Sequence, residues 1–405
     1  MDRRLRVALV MAVLLALVLV AQPAVAEVDA RTVIEDVKFV TGIAFLSDGT
    51  MVFNERDGVI RTADARRRLG DNIAEIPTVV EGETGLLGIA VAPDERSVYV
   101  FATEIDGESN SVWRAGLDGE DPERVVTEMP ASLYHNGGGV AFDEDGMLLV
   151  SNGEEHDTGL AQDPAVLGGK VYRFTPEGDV PPGGPFGDGP SLAIGLRNPY
   201  GLTIDPSTGD AWVTENGPSS FDEINRIVPG GNYGWPDVSG PATDGGPDLE
   251  GDYQDPAIAY ESIIVPTGIA FAGENATDQF AGDLFFAAYG EGVIHHLGLN
   301  DRRDEVVSDE IVHEAGEPVI ALAWGPEGLY FSTADAIKVL PMAAADDSSP
   351  SSAAGGASPV VPSPSPSRTR ERDFGVGSVL TIAVLVALLL VFLGTRSRMK
   401  QASRD

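Results

Sequence analysis

Three short stretches carry residue types that could do chemistry. The first is "SLYHNGGGVAFDEDG", residues 132–146, where His135 stands directly before Asn136 and three glycines. A glycine run costs chain entropy on ordering, so the turn is unusually tight or something approaches the backbone closely. A histidine in such a place either caps a strand by hydrogen bonding or serves as a base, because imidazole titrates near neutral pH. The second stretch is "GLRNPYGLTIDPSTG" from Gly195, which sets Arg197 beside Asn198. An arginine there either pairs with a buried carboxylate or stabilises negative charge on a ligand. The third is "TENGPSSFDEINRI" from Thr214, whose carboxylates and turn residues have the composition of a calcium loop.

These stretches fall at fixed places in a repeat. The pattern reads "GIAFLSDG" from Gly42, "GIAVAPDE" from Gly88, "GVAFDEDG" from Gly139 and "GLTIDPSTG" from Gly201. It returns as "GIAFAGEN" from Gly268 and "ALAWGPEG" from Ala321, at intervals of 46, 51, 62, 67 and 53 residues. A second strand-like run follows each copy, among them "TMVFNE", "MLLVSN" and "DLFFAAY". Asp/Pro/Gly clusters between the runs read as hairpin turns. Recurrence of three or four short strands at this period predicts an all-β, six-bladed β-propeller. A β-sandwich would not repeat so regularly. Residues 31–40 are expected to supply the outer strand of the last blade. His135-Asn136 and Arg197-Asn198 both precede an inner strand, so they should meet at one mouth of the central channel.

The charge balance sets limits on partners. The chain has 27 Lys and Arg against 63 Asp and Glu, a net charge of −36. Such a field repels nucleic acid and anionic lipid, and no nucleic-acid partner is expected. It suits a brine, where salt shortens the screening length to a few ångströms. With no cysteine, an exported fold rests on its core, on bound metal or on both. Arg3, Arg4 and Arg6, an apolar run and Ala24-Val25-Ala26 read as a signal peptide over 1–26. The propeller is expected over 27–342, and a Ser/Pro-rich stalk over 343–373. Residues 374–394 are uncharged and long enough to form a C-terminal transmembrane helix. The basic tail, 395–405, is then cytoplasmic and the propeller extracellular. A sorting signal that is later cut off would look similar. The triplet Asn275-Ala276-Thr277 is a glycosylation sequon and marks a surface loop.

The motifs together resemble the soluble quinoprotein glucose dehydrogenases and the related aldose sugar and sorbosone dehydrogenases. The matching stretches are "GLLGIAVAPD", "HNGGGVAFDEDG", "AQDPAVLGGKVYRF", "GLRNPYGLTIDPSTGDAWVTENGP" and "DEINRIVPGGNYGWP". They span essentially the whole exported domain. The resemblance implies pyrroloquinoline quinone and calcium as cofactors and a sugar as substrate. It implies that His135 takes the hydroxyl proton from the anomeric carbon while hydride passes to the quinone. Arg197 and Asn198 would bind the cofactor, and the carbonyls of Gly217 and Pro218 would hold the calcium that touches it. Glu223 and the Tyr233 carbonyl match a second, structural calcium site, with Asp244 a further candidate. A membrane electron acceptor would complete the cycle.

The chain departs from the family's pattern at three places. Pro318 and Ile320 stand where two cofactor-binding arginines are usual. "DLFFAAYGEG" lacks the usual lysine. Ser151-Asn152 replaces Gly-Asp. Each lost cation removes a charge-assisted hydrogen bond of about 1.5–3 kcal/mol, and His156 is a candidate to compensate. The alternative is a calcium-stabilised propeller without redox activity that binds a glycan or a surface partner. A calcium-dependent lactone hydrolase is a third option, without an acidic cluster at the channel to support it.

Overall fold

The structure, a computed structural model, describes residues 29–242, 249 and 251–344. Six four-stranded antiparallel sheets follow one another along the chain. Their innermost strands are Val40–Phe45, Leu86–Val91, Val140–Phe142, Pro199–Ile204, Pro266–Phe271 and Leu322–Gly325. Each overlaps the repeat read from the sequence, four starting two residues before it and two starting one residue inside it. The sixth sheet takes its outermost strand, Arg31–Glu35, from the start of the domain and pairs it antiparallel with Ala336–Leu340. The ring is thereby closed by the segment expected to close it. A two-stranded parallel piece, Gly231–Asn232 with Asp252–Tyr253, sits outside the blades.

The second strands explain why the repeats were readable. Met51–Glu55, Leu148–Asn152, Ala211–Glu215 and Leu284–Ala288 are buried at every position. A blade packs against a neighbour on each face, so both sides of its second strand are covered. Alternate residues then serve different cores. Met51 and Phe53 pack toward blade six, while Val52 packs toward blade two. Phe285 and Ala287 face blade six, while Leu284, Phe286 and Ala288 face blade four. The hydrophobic core is thus six inter-blade layers.

In the five repeats that open on glycine, that glycine marks a close approach to the next blade's inner strand. A Cβ on Gly88 would lie 2.3 Å from the Gly138 carbonyl oxygen, and one on Gly201 2.4 Å from that of Thr267. Gly88→Ala is therefore expected to cost about 1–3 kcal/mol through overpacking against backbone. A urea midpoint unchanged from the parent would contradict this.

Side-chain hydroxyls stitch blade to blade. Ser151 Oγ accepts from Gly139 N and donates to the Pro199 carbonyl at 2.7 Å. Thr214 Oγ1 does the same between Gly201 N and the Thr267 carbonyl, and Ser332 Oγ between Ala321 N and the Val40 carbonyl. Ser151, a departure from the family pattern, thus makes the bond that joins blade three to blade four.

The expected signal peptide, transmembrane helix and tail, and all of the stalk but Ala343 and Ala344, lie outside the described residues, as does Asp244. Among the described residues no helix is long and apolar enough to cross a membrane. Asn275 is at the surface as expected, but its amide is engaged. It donates to the Gly325 carbonyl and accepts from Trp324 Nε1.

Candidate active site

In an antiparallel blade the start of the inner strand and the end of the second strand lie at the same end. Two short segments per blade therefore face one mouth. His135, Arg197 and Asn198 come from the first kind of segment; Glu154 and Gly217 come from the second.

These residues form one bonded cluster. His135 is buried, and its Nδ1 lies 2.6 Å from Oε1 of the buried Glu154. Its Nε2 lies 2.8 Å from Arg197 Nη2. A guanidinium can only donate, so Nε2 accepts, and Nδ1 carries the proton and donates it to Glu154. The imidazole is neutral in this arrangement, with its lone pair on the nitrogen that faces Arg197. Arg197 Nη1 donates to the carbonyls of Asn216 and Gly217 at 2.8 and 2.9 Å. Its Cζ lies 5.5 Å from the Trp235 ring, which brings the "GGNYGWP" stretch to the site. Asn198 accepts from Gly137 N through Oδ1, and its backbone N–H donates to Glu215. The glycines after His135 earn their place here. A Cβ on Gly137, whose φ is 68°, would lie 2.8 Å from Gly153 N. The close approach is made by the protein's own backbone.

Two loops of blade three, one before its inner strand and one after its second strand, are strained at this mouth. His135, Glu155 and His156 all have positive φ, at 60°, 51° and 68°. Non-glycine residues in the left-handed region are uncommon and cluster at functional sites. His156 is exposed, and its ring centroid lies 3.9 Å from that of His135. Partial burial and the neighbouring His135 lower its pKa.

A cavity of about 240 Å³ opens beside the cluster. Its apolar walls include Phe39, Leu87, Val265 and Ile320, and two tyrosines, Tyr200 and Tyr289. Asn198, Asn216, Arg56 and Glu83 supply polar edges. Glu83 accepts from His135 N at 2.8 Å. Arg56 Nε donates to the Thr84 carbonyl, and its guanidinium stands over the Phe39 ring. A second cavity, of about 360 Å³, lies among the inner strands and is lined by no acid, base or cation among the described residues.

Of the remaining expected site residues, Pro218 is exposed beside Gly217. Glu223 is buried, and its two oxygens accept from Gly240 N and Asn225 Nδ2. The Tyr233 hydroxyl bonds to the Arg226 carbonyl and Val228 N. His135, Arg197 and His156 stand beside this cavity and are not among the residues that line it. Arg56 does line it. Sequence reasoning passed over Glu83, Glu154, Arg56 and Glu215. The signal was their position: Glu83 precedes an inner strand, and Arg56 and Glu154 follow second strands.

Glu215 and Glu223 face each other directly across paired strands, both buried. Like charges so placed repel. Burial pushes Glu215 up to about 8, Glu223 adds to this, and the N–H groups of Asn198 and Arg197 oppose it. Burial likewise raises Glu155 to about 8. The folded chain thus holds protons that the unfolded chain releases above about pH 4.5. Stability is therefore expected to fall as pH climbs from about 4.5 to about 8. Melting in metal-free buffer checks this, and Glu215→Gln should flatten the dependence. A melting temperature that rises over that window in the parent would contradict it.

The fold and the mouth define a six-bladed propeller with a histidine–carboxylate–arginine cluster at one channel end. The glucose/sorbosone dehydrogenase family matches residues 38–339, and the chain belongs to that family. It is similar to the aldose sugar dehydrogenase YliI of Escherichia coli, 29% identical over 332 residues covering 74% of this chain and 89% of that one. The PQQ-bound aldose sugar dehydrogenase of Streptomyces coelicolor superposes with a TM-score of 0.67 at 29% identity, over 77% of this chain and 98% of that one. The apo form of the soluble Escherichia coli enzyme gives 0.68 at 26% identity, over 78% and 99%.

Proposed function

We propose that this protein oxidises an aldose at its anomeric carbon to the lactone, with pyrroloquinoline quinone as acceptor. The observation that carries the reading is the His135 geometry. A neutral imidazole has its Nδ1–H held by Glu154 and its Nε2 lone pair turned to Arg197. The sugar's C1 hydroxyl takes the place of the Arg197 contact at Nε2 and gives its proton there. Glu154 holds the ring's orientation and stabilises the imidazolium that forms. The hydrogen on C1 leaves as hydride with its electron pair, and C1 becomes the lactone carbonyl. Bound in the cavity, the quinone would supply the two-electron acceptor for that hydride. Arg197 keeps its bonds to the Asn216 and Gly217 carbonyls and places a positive charge where the acceptor gains negative charge.

The residues present fit such a cofactor. The cavity has the volume of one flat tricyclic acid and aromatic walls to cover it. Arg56 on the cavity wall and Arg197 beside the cavity supply two guanidiniums, on different blades from the missing pair. Arg56→Ala is expected to weaken quinone binding about tenfold or more, the loss of one charge-assisted hydrogen bond. An absorption titration of the full chain with the quinone checks this. Binding unaffected by Arg56→Ala would remove Arg56 from the site, and no binding at micromolar quinone would favour a calcium-stabilised binding module. Ile320 in place of an arginine is the observation on that module's side.

Calcium fits the same blade. Glu215 Oε2 and Asn225 Oδ1 are buried without a hydrogen-bond partner, and Glu223 lies between them in the pairing. A divalent cation held by Glu223 would relieve their repulsion, and the carbonyls of Gly217 and Pro218 would hold a second ion. The proposed setting is extracellular, with the 374–394 helix as anchor and a membrane carrier taking the electrons.

A further inference from the structure

We infer that His135, Glu154 and His156 form a binding site for a divalent transition metal of the zinc class, and that its occupancy switches His135 out of its role as base. One ligand atom from each of these residues lies within 4.8 Å of the others. Two imidazoles and one carboxylate, with a fourth position open to solvent, is a recurrent zinc donor set. The nitrogen ligands select against calcium, which prefers oxygen.

Two further observations point to a cation. Glu154 is 1% exposed, and its Oε2 has no hydrogen-bond partner among the described residues. A buried carboxylate oxygen left unpaired is costly. The second is the strained loop. His156 holds a φ of 68°, and Glu155 before it 51°, and the result is a second imidazole laid against the first at 3.9 Å. That strain gains no hydrogen bond for His156. A shared ion gives it a purpose, and the exposure of His156 gives the ion a way in.

The coordinating atom of His135 follows from its partners. Arg197 covers Nε2 at 2.8 Å, so a cation is repelled there. Nδ1 faces Glu154 Oε1, and the metal takes the place of the proton there and engages the unpaired Oε2 of the same carboxylate. Ligand atoms around a tetrahedral zinc stand about 3.3 Å apart, so the 2.6 Å pair opens by a fraction of an ångström. The displaced proton moves to Nε2. Nε2 then carries N–H and can no longer accept the sugar's proton, and Arg197 falls back on its two carbonyls. The metal site itself needs no assumption about function; only the inhibition rests on His135 being the base.

Cobalt(II) titration of the calcium-loaded full chain tests both halves. Visible bands of four-coordinate cobalt should grow to one ion per chain. In His156→Ala, an exposed position whose truncation leaves the fold in place, they should need at least about tenfold more metal. Zinc should displace the cobalt. Sugar oxidation should fall with the same midpoint, recover on chelation, and resist metal in His156→Ala. Persistence of the pale aqueous cobalt spectrum, or equal binding by His156→Ala, overturns the site. Undiminished turnover at saturating metal overturns the switch. A chain that never oxidises sugar would count against the proposed function while the cobalt spectrum still reports on the site.

Discussion

His135→Ala is expected to lower kcat for aldose oxidation by about three orders of magnitude while leaving quinone affinity within a few-fold of the parent. A positioned general base contributes roughly 10²–10⁴ to a proton transfer, and no second base is placed to replace it. His156 is adjacent, with its ring against that of His135, but the bond to Glu154 is made by His135. Glu83 lines the cavity, but it accepts from the His135 backbone N–H. The fold should survive, because His135 sits in a loop and the inner strand begins at Val140. Steady-state kinetics with a saturating artificial acceptor, beside a quinone titration, separates the two effects. A loss of binding with kcat intact would move His135 from chemistry to cofactor recognition.

Glu154→Gln is expected to cost about 10²–10³ in kcat with KM little changed. The substitution is nearly isosteric, so packing is not its mechanism. A glutamine can offer its amide N–H to Nδ1, which then accepts, and the ring proton moves to Nε2. The imidazole is held in the tautomer that cannot take a proton from the sugar. Loss of the wrong-tautomer kind reaches about 10⁴ in histidine–carboxylate pairs of hydrolases. Glu154→Asp keeps the acceptor and should recover part of the rate. If Gln and Asp variants fall equally, the carboxylate acts by packing and the tautomer argument fails.

The fold could be read from sequence because the propeller repeats its physics six times. Each inner strand needs a small residue where it meets its neighbour, and each second strand is buried on both faces. Gly88 and "MVFNE" are such signals, and both are local. The closing strand was readable too, since Arg31–Glu35 had no other sheet to join. The site was half legible. His135, Arg197 and Asn198 lie in motifs whose residue types announce them. Glu154 does not, because its bond to His135 spans 19 positions and exists only once blade three folds. Arg56 was missed for a related reason. Matching the family position by position looks for cations in blades five and six, whereas the cavity draws one from blade one. A channel mouth sums the charges of all its blades, and no single motif records that sum. The strain at Glu155 and His156 has no sequence signal, because neither residue type asks for positive φ.

The central claim is oxidation at C1 with His135 as base. The most direct measurement is anaerobic single-turnover reduction of the quinone-loaded full chain by an aldose, with hydrogen or deuterium at C1. The account predicts one lactone formed per quinone reduced, a primary isotope effect on the reduction, and a rate about a thousandfold lower in His135→Ala. A quinone that binds but stays oxidised with every aldose, or reduction equally fast in His135→Ala, would contradict it.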